Sequence, residues 1–281
     1  MNFVKSISKS AKLIVISIFI FSNFFPKRVA YGDDKSGDEE IKYLIFFGGF
    51  PDIRHQGAGI VHPHSESNPA SLELIKKYDV NFSFGFGKYK IAELRATDSI
   101  TTRLSGGIGF KCFFERTLCG SESAKIISAD LSYGFDIQNI RTGVGTFIKF
   151  KWNDQFEEEL GKKDVFFGVG GVASYEMEKV GFTGGVVSLT SPNSLKEKIP
   201  ARGGVGLAIF TEDIFIFSQV FYLKKLNLSA GATAKALKWF RVSLSYSQKP
   251  ILGVGFVSPR LYLWGGYYFG NLTLISIGII F

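Results

Sequence analysis

The feature that most constrains this chain is parity. From Tyr78 to Phe281, apolar side chains recur at every second position, with polar or small residues between them. A strand sends successive side chains to opposite faces, while a helix repeats every three or four residues, so this pattern leaves helices almost nowhere to sit. In 101–115, Leu104, Ile108, Phe110, Cys112 and Phe114 share one parity, and Arg103, Ser105, Gly107, Gly109 and Lys111 share the other. In 124–137, Ile127, Ala129, Leu131, Tyr133 and Phe135 oppose Ser128, Asp130, Ser132, Gly134 and Asp136. In 139–152, Ile140, Val144, Ile148, Phe150 and Trp152 oppose Arg141, Gly143, Gly145, Lys149 and Lys151. Polar and turn-like breaks divide the region into about fourteen strands: 78–88, 90–96, 101–115, 124–137, 139–152, 164–176, 178–190, 203–211, 213–223, 225–235, 237–247, 250–258, 260–269 and 271–281.

A soluble sandwich and a membrane barrel both alternate, so parity alone does not choose between them. Three features do. The segments run to roughly 10–14 residues, enough to cross a bilayer at a tilt, where sandwich strands average about 5–6. Long connections follow the third, fifth and seventh strands (116–123, 153–163, 191–202), and short turns follow the second, fourth, sixth, eighth and tenth. The last strand carries Ile275, Ile277 and Ile279 on one parity and ends in Phe281. The expected fold is all-β: a transmembrane antiparallel barrel of about 14 strands spanning 78–281, with a preceding plug segment over 41–77.

The net charge of +8 suggests a polyanion partner until it is located. Lys5, Lys9, Lys12, Lys27 and Arg28 lie in the first 32 residues, which hold no acid; removing those five from the 33 basic residues leaves 28 against 25 acidic ones. A nucleic-acid partner loses its support. The same lysines form a basic stretch ahead of Leu13–Phe25, an apolar run too short to span a bilayer, with Ala30 and Gly32 two residues apart beyond it. This reads as a secretory signal over 1–32, cut after Gly32, followed by an acidic tail over 33–40.

Within 41–77, Gly57-Ala58-Gly59-Ile60, Ser65 to Ser67 and Asn68-Pro69-Ala70-Ser71-Leu72 resemble the start of the long-chain fatty acid porin family (FadL type) and the related PorV-like proteins. The resemblance implies an N-terminal hatch plugging a fourteen-stranded barrel, larger external loops after strands five and seven, and a kinked third strand that opens a lateral exit into the membrane. Onto this chain it carries Asn68, Pro69 and Ala70 as plug residues, with His62 and His64 beside them, and Gly106, Gly107 and Gly109 as the lateral gate. The chain departs from the family at Ser71, where a glycine is usual, and at His62-Pro63-His64. On its own chemistry Asn68 is a good helix cap, Pro69 suits a first turn, and Leu72 to Lys77 can continue it.

All three histidines, His55, His62 and His64, lie in this segment with only Asp52 and Glu66 near, which favours polar plug residues over a metal site. A hydrolase in the wall would need a histidine on a strand, and none lies there. Neither an enzyme nor a cofactor is expected. Cys112 falls on the apolar parity, which sets it against a bond to Cys119. The expected role is passive uptake of small hydrophobic molecules such as fatty acids by a monomer in the bacterial outer membrane. Its partners would be membrane lipid, the hydrophobic ligand, and the barrel assembly machinery acting through the strand that ends in Phe281. The alternative is a non-transporting PorV-like accessory or anchoring component of an export system.

Overall fold

The computed structural model describes residues 60–62, 67–87, 90–114, 118–120, 123–152, 164–190, 202–222, 226–247, 249–268 and 272–281. The signal and acidic-tail expectations, His55, His64 and the first part of the plug segment fall outside these residues. The strands are β1 (Tyr78–Phe86), β2 (Lys90–Asp98), β3 (Leu104–Phe114), β4 (Ala124–Ile137), β5 (Ile140–Trp152), β6 (Asp164–Glu176) and β7 (Gly181–Thr190). They continue as β8 (Arg202–Phe210), β9 (Ile214–Tyr222), β10 (Leu226–Leu237), β11 (Phe240–Ser247), β12 (Lys249–Val257), β13 (Leu261–Tyr268) and β14 (Leu272–Ile280). Each pairs antiparallel with the next, and β14 pairs with β1, so a closed barrel of fourteen strands leaves no unpaired edge.

Closure happens at the chain ends. Phe281 donates its N–H to the Tyr78 carbonyl at 2.9 Å, and the two rings meet edge to face at 5.3 Å. Both ends therefore lie on one rim, here called the near rim. It carries the tight connection at Gln138, whose φ of 54° makes the two-residue turn between β4 and β5. Asp136 and Arg141 face each other across that hairpin, 3.7 Å apart, as their shared polar parity requires. The connections 115–123, 153–163 and 191–201 join strands at the opposite, far rim.

The two parities separate as the sequence dictates. On β4, Ser128, Asp130 and Ser132 are buried inside while Ile127, Leu131 and Tyr133 are exposed. Large apolar residues stand out along the exterior, Ile108 at 67%, Leu207 at 66% and Val169 at 63% exposure. An apolar surface of that extent is intolerable in water and suits acyl chains, so the strands are the membrane-crossing elements of a transmembrane barrel. Among the described residues no helix is long and apolar enough to cross a membrane.

Three details correct the sequence reading. Arg103 lies in the near-rim turn ahead of β3, exposed, and not on the inner wall. Cys112 is bonded to Cys119, with Cα atoms 5.6 Å apart. Its outward parity was read as isolation, but it sits two residues from the end of β3, within reach of Cys119. The inner wall is also less uniformly polar than alternation suggests. Phe147, Trp264, Tyr262 and Phe210 point inward and lie against the cross-strand glycines Gly168, Gly255, Gly278 and Gly181, so each ring occupies the space a neighbouring side chain would need.

Candidate functional site

The barrel interior holds the candidate site, and residues of the preceding segment occupy part of it. A short 3₁₀ turn, Pro69–Glu73, lies inside with every residue buried. It starts as its sequence requires: the Asn68 side-chain oxygen accepts the Ala70 N–H at 3.2 Å, and Pro69, which has no N–H to satisfy, takes the first position. It stops after Glu73, sooner than a helix running to Lys77. The other end of the Asn68 amide donates to the Ile60 carbonyl at 2.9 Å and to the carbonyls of Gly171 and Val186 at 3.3 Å. Ile60 in turn donates its N–H to Gln219 Oε1 at 3.0 Å. One amide thus ties two pieces of the segment to the wall strands β6 and β7.

The wall is cut to receive this segment. A Cβ at Gly145 would lie 2.8 Å from the Ala70 nitrogen and 2.9 Å from the Pro69 carbonyl carbon, and one at Gly143 would lie 2.8 Å from the Ala70 oxygen. Gly170 faces Asn68, Gly185 faces the Ile60 carbonyl at 2.6 Å, and Gly206 faces Val61 at 3.0 Å. These glycines sit on the inner parity of successive strands, β5 to β8, and form a track that any larger residue would block. Asn68, Pro69 and Ala70, singled out from the sequence, are therefore brought together against one side of the lumen. His62 lies on the neighbouring wall, its ring edge to face with Phe215 at 4.9 Å.

Glu73 anchors the end of the turn. Its carboxylate takes a hydrogen bond from Ser132 at 2.9 Å and pairs with Lys76, which also donates to Ser105 at 3.1 Å. Burial pushes the carboxyl up, but the hydrogen bonds with Lys76, Ser105 and Ser132 outweigh it and hold the group below the usual carboxylate range. Beside it, Asp79 accepts from Lys77 at 2.9 Å, from Thr97 and, at 3.4 Å, from the Tyr262 hydroxyl. Arg95 and Asp130 form a buried ion pair, and Lys111 lies 3.4 Å from Glu93.

Toward the far rim the lining changes character. Ile91, Phe113, Ile126, Phe166, Leu189 and Phe221 are all buried inside, near the far ends of their strands. Phe147 continues them inward, with the Lys149 ammonium 4.7 Å from its ring centre. Sequence reasoning missed this apolar collar. The signal was present as doubled apolar residues, Phe113-Phe114, Phe147-Ile148 and Phe166-Phe167, which break alternation because both faces of the strand are apolar there.

The glycine cluster of β3 divides between faces. Gly107 and Gly109 face the lumen beneath the Arg95 side chain, while a Cβ on Gly106 would meet nothing closer than the Asp130 carbonyl oxygen at 3.5 Å. Pairing with β2 and with β4 runs without a register shift through all three, so no bulge is present at this point. Gly107 and Gly109 leave room for Arg95. Among the described residues, no group of three or more His, Cys, Asp or Glu is placed to hold a metal ion.

No family model matches this sequence, and no curated protein sequence matches it. Solved structures do resemble it in fold. The toluene transporter TbuX of Ralstonia pickettii is 12% identical over 84% of this chain and 97% of its own, with a TM-score of 0.46. The toluene transporter TodX of Pseudomonas putida is 10% identical over 79% of this chain and 94% of its own, also with a TM-score of 0.46. A KdgM porin is 8% identical over 72% of this chain and 98% of its own, with a TM-score of 0.40.

Proposed function

We propose that this chain is an exported bacterial outer-membrane barrel, working as a monomer, through which small hydrophobic molecules such as fatty acids pass by diffusion. One observation carries the reading: the apolar collar at the far rim. A pore for ions or sugars keeps its lumen polar, whereas Phe113, Phe147, Phe166 and Phe221 pack here into one buried apolar cluster with Ile60 and Val61, which a hydrophobic solute can part at less cost than a polar one. Short turns at one rim and long connections at the other orient the far rim outward and the near rim to the periplasm. The solute would then meet the 60–74 segment as a plug, with Asn68 as its central tie. The proposed exit is the wall at Gly106, Gly107 and Gly109. Leaving there requires β3 to part from a neighbour, since its ladder is closed at rest.

A second reading, a non-transporting accessory barrel, is favoured by the glycine track, which seats the segment as a fixture. Flux in proteoliposomes separates the two. Transport predicts entry of a fluorescent fatty acid at a rate above that of empty vesicles, exclusion of sugars, and loss of entry in Phe147→Lys. Entry at the empty-vesicle rate with folded protein rejects transport and leaves the accessory reading.

A further inference from the structure

The exterior carries a feature over the proposed exit, and what occupies it at rest is a question apart from transport. On the membrane-facing side of β2 to β6 a trough of about 630 Å³ opens over Gly106, running from the near-rim turn at Asp98 and Thr101 toward Phe167 in the far half of β6. Its floor is made of small outward residues, Ala96, Gly106 and Ala129, and taller ones, Ile108, Leu131 and Phe167, stand along its sides. Gly106 is the reason it exists: the space where its side chain would stand is open. The trough's near-rim end is polar, with Asp98, Thr101 and Thr102 at its mouth and the exposed Arg103 next in the same turn. Asp98 is fixed there by the N–H groups of Ile100 and Thr101, both at 3.0 Å.

Polarity therefore runs along the trough in the order in which a phospholipid is built. The apolar length lies at the depth of acyl chains, and a turn bearing one carboxylate and one guanidinium lies at the level of the headgroups. A void of this size cannot stay empty in a bilayer, because its walls would forgo dispersion contacts on one side, so a chain must fill it. Apolar burial in a fixed trough, joined to paired charges at its mouth, distinguishes this position from the rest of the wall. We propose that the trough is the seat of one phospholipid of the near-rim leaflet. An acyl chain would lie over Gly106, and a zwitterionic ethanolamine headgroup would set its ammonium toward Asp98 and its phosphate toward Arg103.

The full-length barrel in mixed micelles with equal phosphatidylethanolamine and phosphatidylglycerol, read by native mass spectrometry, tests this. Wild type should retain one phosphatidylethanolamine in preference to phosphatidylglycerol. Gly106→Leu, which fills the trough, should cut retention roughly tenfold, a change of about 1.4 kcal/mol. Ala129→Leu, which raises the floor, should act in the same direction, and Arg103→Gln should weaken the headgroup preference. Gly184→Leu is the control: Gly184 is another outward glycine, whose nearest neighbour to an added Cβ is Leu207 at 3.5 Å, outside the trough. Heat-modifiable migration on gels verifies that each variant is folded. Equal retention of both lipids, or retention unchanged in folded Gly106→Leu and Ala129→Leu, overturns the proposal, as does an equal loss in Gly184→Leu.

Discussion

Placing a side chain at Gly145 sets the wall against the segment it holds. The added Cβ of Gly145→Ala would stand 2.8 Å from the Ala70 nitrogen and 2.9 Å from both the Pro69 carbonyl carbon and the Ser132 Cβ. Those gaps are roughly 0.6–1 Å shorter than a comfortable carbon contact. Two of the three colliding atoms are backbone and cannot rotate away, so strain of about 1–3 kcal/mol follows. The segment could relieve it by sliding. That would break the bonds of Asn68 to Gly171 and Val186, Ile60 to Gln219 and Glu73 to Ser132, at about 1 kcal/mol each. The two costs are similar, so alanine should lower stability while the segment stays in place. Gly145→Leu has no such solution. It should displace the segment and forfeit burial of Ile60, Val61 and Leu72, about 1.5–3 kcal/mol apiece. The assay is trypsin cleavage after Lys76 and Lys77 in folded, detergent-solubilised barrel, with Gly184→Leu as control. Cleavage should be fast in Gly145→Leu and slow in wild type, Gly145→Ala and the control. If Gly145→Leu folds and is cut no faster than wild type, the glycine track does not seat the segment.

Glu73 gives the segment an acid dependence of definite sign. Its folded pKa lies below the unfolded value of about 4.3, so its contribution is complete above that pH and is lost as pH falls through the folded value. The melting temperature of wild type should exceed that of Glu73→Gln at neutral pH, and the gap should narrow as pH falls below the unfolded value of about 4.3; a constant gap would show that the carboxylate is not what titrates. Asp130→Ala should cost about 3–5 kcal/mol in urea unfolding, because the buried Arg95 loses the carboxylate it pairs with, while the double replacement Arg95→Met with Asp130→Leu should cost less. An Asp130→Ala loss no greater than that of the double variant would contradict this. Deleting Phe281 removes both its N–H bond to Tyr78 and the ring contact that closes β14 on β1, and should lower the amount of assembled barrel without changing synthesis. An unchanged amount would mean closure does not depend on the last residue.

Most of the wall was legible because a strand with lipid on one side and a lumen on the other must alternate. Pairing of Asp136 with Arg141 followed from parity and one tight turn. Asn68 and Pro69 announced a helix start, and the turn begins there. What stayed hidden depends on contacts distant in sequence. Phe147 faces inward because Gly168, twenty-one residues away on the neighbouring strand, leaves space for its ring, and only the register brings those two together. Gly145, Gly170 and Gly206 look like ordinary small lumen residues until the segment lies on them. The Cys112–Cys119 bond depends on how a connection folds at the rim, which alternation inside the strand does not encode.

The claim beneath all of this is that one parity faces lipid and the other faces the barrel interior. Single nitroxide labels placed in turn along β12, from 251 to 256, in the protein reconstituted into bilayers measure it directly through collision with oxygen and with a polar nickel chelate. Leu252, Val254 and Phe256 are exposed at 45–46%, whereas Ile251 is 2% exposed and Gly253 and Gly255 are buried. Oxygen collision should therefore rise at 252, 254 and 256 and fall at 251, 253 and 255, with the chelate excluded from the first set. Chelate access at 252, 254 and 256 equal to that of a water-exposed label would mean that this face meets water, and the membrane barrel would have to be given up for a soluble one.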